Sequence, residues 1–296
     1  MKGLASCQNI FADIRLSHSV FALPFAGIGL LMGTRGRAPS LEFTGFIVLA
    51  MVLARSAAMA FNRLADHRFD ATNPRTQGRA LPSGRVSRGA MITFLAICSL
   101  GFVAVASWFG HLCLILSPLV LLALFTYSLT KRFTILAHGF VGFALALSPP
   151  AAYLAARGSL GPDVGGVLWV ALAVLLWVTG FDIIYACQDV EHDRQERLHS
   201  IPAKLGVRRA LLVARFVHAG MVGALCFAVA GQEWGLLSWA AVALVSILLI
   251  VEHSLVSAQD LSRVNASFFT VNGIVSVGFS ALVISDITLR ANQLWP

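Results

Sequence analysis

The residues of this chain best suited to chemistry are two short acidic segments. Asn62, Asp66 and Asp70 recur at i, i+4 and i+8, and Asp189 and Asp193 repeat the Asp-x-x-x-Asp spacing 123 residues later. On a helix each four-residue step advances by about 40°, so each set lies along one face. Asp182, two turns before Asp189, nearly shares that face. Carboxylates stacked on adjacent turns repel one another, and a divalent cation removes that cost. Mg²⁺ takes few carboxylates and completes its shell with water and phosphate oxygens, so this pattern points to Mg²⁺ and a diphosphate. The nearby bases suit the same ligand. Arg75 and Arg79 follow the first segment, and Lys131 and Arg132 sit in a short polar stretch. Guanidinium forks match phosphate oxygens, and an ammonium adds a mobile point charge.

Other polar residues are more ambiguous. Arg55 falls inside an apolar run, seven residues before Asn62. A cation at that depth needs a cavity or a partner. It would bind a substrate carboxylate or pair with an acid such as Asp182. Tyr127 and Tyr185 lie beside the polar segments and serve either packing or the site. Glu252, His253 and Asp260 are expected to meet solvent or lipid head groups. The eight histidines show no zinc spacing, and the five cysteines no paired spacing; the latter read as small apolar residues. There is no Gly-x-x-x-x-Gly-Lys loop, no Gly-x-Ser-x-Gly elbow and no Cys-x-x-Cys.

The elements that must position these residues are membrane helices. The chain has 296 residues, 57% hydrophobic and only 12% charged, whereas a soluble domain is about one-quarter charged. Nine apolar runs approach the length of a span, near 17–33, 43–64, 89–108, 112–129, 134–156, 164–187, 208–230, 234–252 and 268–289. Backbone groups in lipid must be satisfied within the segment, so these are helices. The runs at 89–108 and 112–129 must form a tight hairpin. With no clear cleavage site after the first run, that run is expected to stay. The net charge of +8 would suggest nucleic acid in a soluble protein. Here, with residues near a span boundary assigned to the adjoining loop, about 17 of the 22 Lys and Arg fall in alternate loops, those carrying the acidic segments among them. This bias orients both segments to the cytoplasm and accounts for the basic charge without nucleic acid. Both acidic pairs follow an even-numbered span. The expected architecture is therefore all-α: a single membrane domain over 1–296, about nine transmembrane helices, and two pseudo-repeated Asp-motif helices around a central cavity.

Asn62-x-x-x-Asp66-x-x-x-Asp70, followed by Arg75-Thr76, Arg79 and Leu81-Pro82-Ser83-Gly84, resembles the first signature of the UbiA superfamily of intramembrane prenyltransferases. Asp182-x-x-Tyr185-Ala186-x-x-Asp189-x-x-x-Asp193, followed by Ser200, resembles the second. The resemblance covers nearly the whole chain. It implies a polyprenyl diphosphate bound through Mg²⁺ in a cavity open sideways to lipid, with Asn62, Asp66, Asp70, Asp189 and Asp193 as the metal-binding set. Arg15, Arg75, Arg79 and Lys131 would meet the diphosphate. Arg55, Tyr127, Ser128 and Tyr185 would meet the acceptor. Asp66 and Asp189 would be essential to catalysis. Asp182 would orient or deprotonate a phenol, unless it pairs with Arg55 or supports the second carboxylate pair.

Arg55 with Ala57-Ala58 is similar to the 4-hydroxybenzoate polyprenyltransferase branch, which serves respiratory quinone biosynthesis in the bacterial inner membrane. Asn73-Pro74-Arg75-Thr76 and Phe268-Phe269-Thr270-Val271-Asn272-Gly273 look more like a group that prenylates 1,4-dihydroxy-6-naphthoate in the futalosine menaquinone pathway. Both acceptors carry a carboxylate, so Arg55 does not separate them. No obligatory protein partner is implied. A cation or lipid transporter would share the Gly/Ala-rich spans and duplicated acids but place them midway along the spans, whereas these run straight into polar loops. CDP-alcohol phosphotransferases expect a denser Asp-x-x-Asp-Gly cluster, which is absent.

Overall fold

A computed structural model describes residue 10 and residues 21–294, with side chains to 291. The described residues form helices joined by turns, with no strand among them. In chain order they are α1 (Leu23–Gly33), α2 (Leu41–Ala65), α3 (His67–Thr72), α4 (Arg88–Trp108), α5 (His111–Thr130), α6 (Ala137–Ala146), α7 (Ser148–Arg157), α8 (Val164–Ala186), α9 (Val190–Gln195), α10 (Ile201–Leu205), α11 (Val207–Gly231), α12 (Leu236–Ser254), α13 (Val264–Ala266) and α14 (Asn272–Leu294). Among the described residues eight helical stretches are long and apolar enough to cross a membrane, and the shorter apolar α1 accompanies them. The expected bounds agree with these to within a few residues, except that 17–20 of the first run lie outside the described residues. The protein is an integral membrane protein.

The helices group into two compact units, one built on Thr44–Leu129 and the other on Val20–Phe43 with Thr130–Pro296. In the first, α2 presents the buried Ala57, Ala58 and Ala60. Such small side chains let a neighbouring helix approach closely. Phe61 stacks on Phe125 of α5 with ring centroids 4.7 Å apart. The α4–α5 hairpin turns in two residues, and Gly110 adopts φ +114°, a conformation open to glycine. Ile92, Ile97 and Leu100 of α4 and Ile115, Leu119 and Leu122 of α5 are exposed, as apolar residues facing lipid are.

In the second unit α8 is the central helix: Val167, Val170, Val174, Trp177, Val178 and Ile183 are completely buried. Two glycines set its neighbours close. A Cβ on Gly142 would collide with the Leu175 carbonyl, and one on Gly180 with the His218 ring, so α6 and α11 seat directly against α8. The span expected over 134–156 is present as Ala137–Arg157, with one interruption at Leu147 between α6 and α7, ahead of Pro149 and Pro150, which lack the N–H groups a regular helix uses. The break is itself a packing surface, since Gly29 of α1 rests on the Pro149 carbonyl.

Glu252 corrects the expectation of a solvent or head-group contact. It is 0% exposed, and its Oε1 accepts hydrogen bonds from Asn272 Nδ2 at 2.6 Å and Ser267 Oγ at 3.3 Å. Both donors flank a π-turn over Ser267–Val271, which covers the end of α12. Asn272 in turn accepts from Trp177 Nε1. A carboxylate so buried needs such partners. Asp260, by contrast, is exposed, and hydrogen bonds from the Ser262 side chain and from the Ser262 N–H, the latter at 2.9 Å, hold its carboxyl below the usual range.

Candidate active site

The first acidic segment does not continue as one straight helix. α2 ends at Ala65, α3 begins at His67, and Asp66 between them takes φ −91° and ψ 6°. This is the sparsely populated bridge region where active-site residues are often found. The kink preserves helical phase, because Asp66 N–H bonds to Asn62 O and Asp70 N–H to Asp66 O, each at 2.8 Å. Asn62 Nδ2 donates to Asp66 Oδ2 at 2.9 Å, and Asn62 Oδ1 accepts from Arg63 at 3.0 Å. Asn62, expected to offer its amide oxygen to a metal, thus orients Asp66 with its amide nitrogen while Arg63 holds the oxygen.

Asp70 is buried, and its two oxygens differ. Oδ1 accepts from Arg79 at 2.6 Å. Oδ2 has no hydrogen bond and lies 3.8 Å from Arg63. The loop that returns Arg79 is built locally: Asn73 Oδ1 accepts from the Arg75 N–H, and Thr76 Oγ1 donates to the Asp70 carbonyl at 3.1 Å. Pro74 keeps Asn73 extended, which stops α3. Arg75 is exposed. Arg63 is almost fully buried; its signal in the sequence is a charge one residue from Asn62 at the end of an apolar run.

Arg55 is partly buried on α2, and its Nε carries no hydrogen bond among the described residues. Its charge lies close enough to Tyr127 on α5 to interact with it, and Ser128 is buried beside that tyrosine. Arg55, Tyr127 and Ser128 therefore belong to one unit and one neighbourhood. Arg15 lies outside the described residues.

The second segment repeats the kink. α8 ends at Ala186, a tight turn covers Cys187–Asp189, and Asp189 takes φ −103° and ψ 8° before α9. Asp189 is 8% exposed and Asp193 fully buried. Asp193 Oδ1 lies 2.6 Å from Lys131 Nζ, and Oδ2 accepts from Ser200 Oγ at 2.7 Å. Ser200 also caps α10 by accepting from the Ala203 N–H. Lys131 is tied down a second time, its carbonyl accepting from the His199 N–H at 2.7 Å. Tyr185 packs its ring on Phe268 of the π-turn, centroids 4.3 Å apart.

Asp182 carries a partner the sequence did not suggest. His138 Nδ1 lies 2.6 Å from Asp182 Oδ2. The only sequence signal was a lone imidazole near the start of an apolar span.

The donor set fits Mg²⁺. Carboxylate oxygens are hard ligands, and Asp70 Oδ2 is a buried oxygen with open lone pairs. Among the described residues no group of three or more His, Cys, Asp or Glu converges on one metal position. One or two carboxylates suffice for Mg²⁺ when phosphate oxygens complete its shell.

Comparison with known proteins narrows the chemistry. The UbiA prenyltransferase family model matches residues 22–274. The 4-hydroxybenzoate octaprenyltransferase of Aromatoleum aromaticum is 30% identical over 272 residues, covering 86% of this chain and 85% of the relative. That of Neisseria meningitidis serogroup B is 28% identical over 249 residues, covering 82% and 81%. Among solved structures, a UbiA homolog from Aeropyrum pernix K1 in its apo form superposes with a TM-score of 0.82 at 34% identity, over 92% of this chain and 99% of that one. A UbiA homolog from Archaeoglobus fulgidus bound to GPP and Mg²⁺ shares the fold, with a TM-score of 0.76 at 18% identity over 95% and 99%. With kinked Asp-x-x-x-Asp segments, a base at each second Asp and a family match across most of its length, the chain belongs to the UbiA prenyltransferase family.

Proposed function

We propose that this protein transfers a polyprenyl group from polyprenyl diphosphate to an aromatic hydroxy acid of the 4-hydroxybenzoate type in respiratory quinone biosynthesis. It works with Mg²⁺, in a bacterial inner membrane, with both acidic segments on the cytoplasmic side. One observation carries the reading. In each segment the second Asp is buried and has a cationic side chain at 2.6 Å, Arg79 on Asp70 and Lys131 on Asp193. Carboxylates and cations alternating in this way are what a metal–diphosphate pair requires. The 4-hydroxybenzoate octaprenyltransferases among its relatives point to the same substrates.

Asp66, Asp70, Asp189 and Asp193 would hold Mg²⁺, with Asn62 orienting Asp66, and the bound ion would neutralise charge on the departing diphosphate. Arg79 and Lys131, with Arg75 and Arg15, bind diphosphate oxygens as the allylic C–O bond breaks and its electron pair leaves with the diphosphate. Arg55 holds the acceptor carboxylate, and Tyr127, Ser128 and Tyr185 confine the ring. Asp182 receives the hydroxyl of the acceptor and so orients the adjacent ring carbon toward the allylic cation. The new C–C bond forms there, and that carbon's proton passes to the departed diphosphate, which restores aromaticity.

The acceptor 1,4-dihydroxy-6-naphthoate is the second reading, favoured by the Asn73–Thr76 and Phe268–Gly273 sequences. Membranes carrying the protein, given Mg²⁺, labelled polyprenyl diphosphate and both acids in competition, decide between them. Label in prenylated 4-hydroxybenzoate supports the first reading. Label only in the naphthoate product moves the assignment to the second, and no label in either product removes both.

A further inference from the structure

His138 is 3% exposed and sits near the start of α6. Both of its ring nitrogens are engaged. Nε2 lies 3.3 Å from the backbone N–H of Ile201, which donates to it. A nitrogen that accepts carries no proton, so the proton of the neutral ring belongs to Nδ1. Nδ1–H therefore donates to Asp182 Oδ2, 2.6 Å away. The peptide at Ile201 thus selects the tautomer, much as second partners orient ring nitrogens elsewhere. Asp182 Oδ1 has no hydrogen bond among the described residues, and the side chain is 27% exposed.

The anchor is rigid at both ends. Ile201 opens α10, capped by Ser200, whose hydroxyl also bonds Asp193. α6 is held on α8 by the close approach at Gly142. Beside the pair, the Thr179 hydroxyl faces the His138 carbonyl at 3.5 Å.

We propose that His138 is the positioning residue for Asp182. Its Nδ1–H occupies Oδ2, so that Oδ1 alone receives the hydroxyl of the aromatic acceptor. The proposal rests on the reading of Asp182 given above and adds the group that aims it.

Two substitutions separate aim from scaffold. In His138→Asn the amide nitrogen takes the place of Nδ1 and still donates to Asp182. In His138→Gln the longer side chain puts its oxygen at the place of Nε2, keeping the Ile201 bond and losing the donor to Asp182. The expected result is a kcat for the Gln variant lower by on the order of 10²-fold, with KM for polyprenyl diphosphate unchanged. The Asn variant should recover kcat to within about tenfold of wild type. Asp182→Ala combined with His138→Gln should be no slower than Asp182→Ala alone, because the histidine acts only through the aspartate. Wild-type kcat in the Gln variant, equal losses in both variants, or additive losses in the double variant would each overturn the proposal. So would failure of His138→Gln to fold, since that variant keeps the backbone tie. ¹⁵N-histidine spectra test the same point without turnover: the resonance that disappears in His138→Gln must belong to an Nδ1–H ring, and an Nε2–H ring there refutes the assignment. Absence of turnover in the wild type with either acceptor counts against the proposed function and leaves this spectroscopic test standing.

Discussion

Asp66 and Asp189, 123 residues apart in the chain, adopt nearly one backbone conformation: φ −91° and ψ 6° for the first, φ −103° and ψ 8° for the second. Each immediately precedes a short helix that carries the second Asp. The repeat seen as spacing in the sequence is thus also a repeat of backbone geometry.

Removal of either aspartate should therefore disable the enzyme without unfolding it. Asp66→Ala and Asp189→Ala are expected to lower Mg²⁺-dependent prenyl transfer by at least about 10²–10³-fold, the scale lost with a key electrostatic group. Membrane insertion and detergent-extracted yield should match wild type. Retained turnover in either variant would remove that residue from the catalytic set.

Lys131 and Asp193 make the second prediction. Asp193 is 0% exposed, so taking away the ammonium 2.6 Å from it leaves a buried carboxylate without its cation. Lys131→Met should lower stability by roughly 1–3 kcal/mol. Mg²⁺ together with diphosphate should restore much of that, since a bound ligand stabilises the state that holds it. Thermal unfolding in detergent, with and without both ions, measures it; an unchanged midpoint in Lys131→Met counts against the pair.

Arg55 is expected to act on the acceptor and leave the donor alone. Arg55→Gln should raise KM for the aromatic acid by about 10- to 100-fold, the worth of a hydrogen bond to a charged group. KM for polyprenyl diphosphate should stay put. The corresponding phenol without a carboxylate should be handled equally by both proteins. A larger effect on the diphosphate would place Arg55 with the other substrate.

Two glycines of α6 should behave oppositely. Gly142 touches α8 so closely that Gly142→Val should cost about 1–3 kcal/mol or more and, by lifting α6, separate His138 from Asp182. Gly139, three residues earlier, has nothing within 4 Å of the place a Cβ would occupy. Gly139→Ala should be neutral or stabilising by up to about 1 kcal/mol. Unfolding midpoints of the two variants side by side check the contrast.

Much of the architecture was legible because lipid imposes a simple rule on long apolar runs. The run read as 43–64 is Leu41–Ala65, and that read as 208–230 is Val207–Gly231. The acids and bases near the site were legible by type and spacing. What was not legible depends on contacts between distant parts of the chain. His138 and Asp182 are 44 residues apart, and nothing in either neighbourhood names the other. Glu252 looked like an end-of-helix charge because its donors, Ser267 and Asn272, belong to a different helix end.

The π-turn at Ser267–Val271 fits one residue more into its coil than an α-turn would. Each residue of an α-helix turns the chain by about 100°, so that extra residue works as a rotational offset for everything after it. Val275, Phe279 and Val283 look inward with the offset in place, while Ile274 and Val277 look outward. Deleting one residue there would rotate the last helix by more than a quarter of a circle. The ring of Phe268, the partner of Tyr185, and the inner face of the final helix are thus indexed by a single coil, and a change in its residue count would reach both at once.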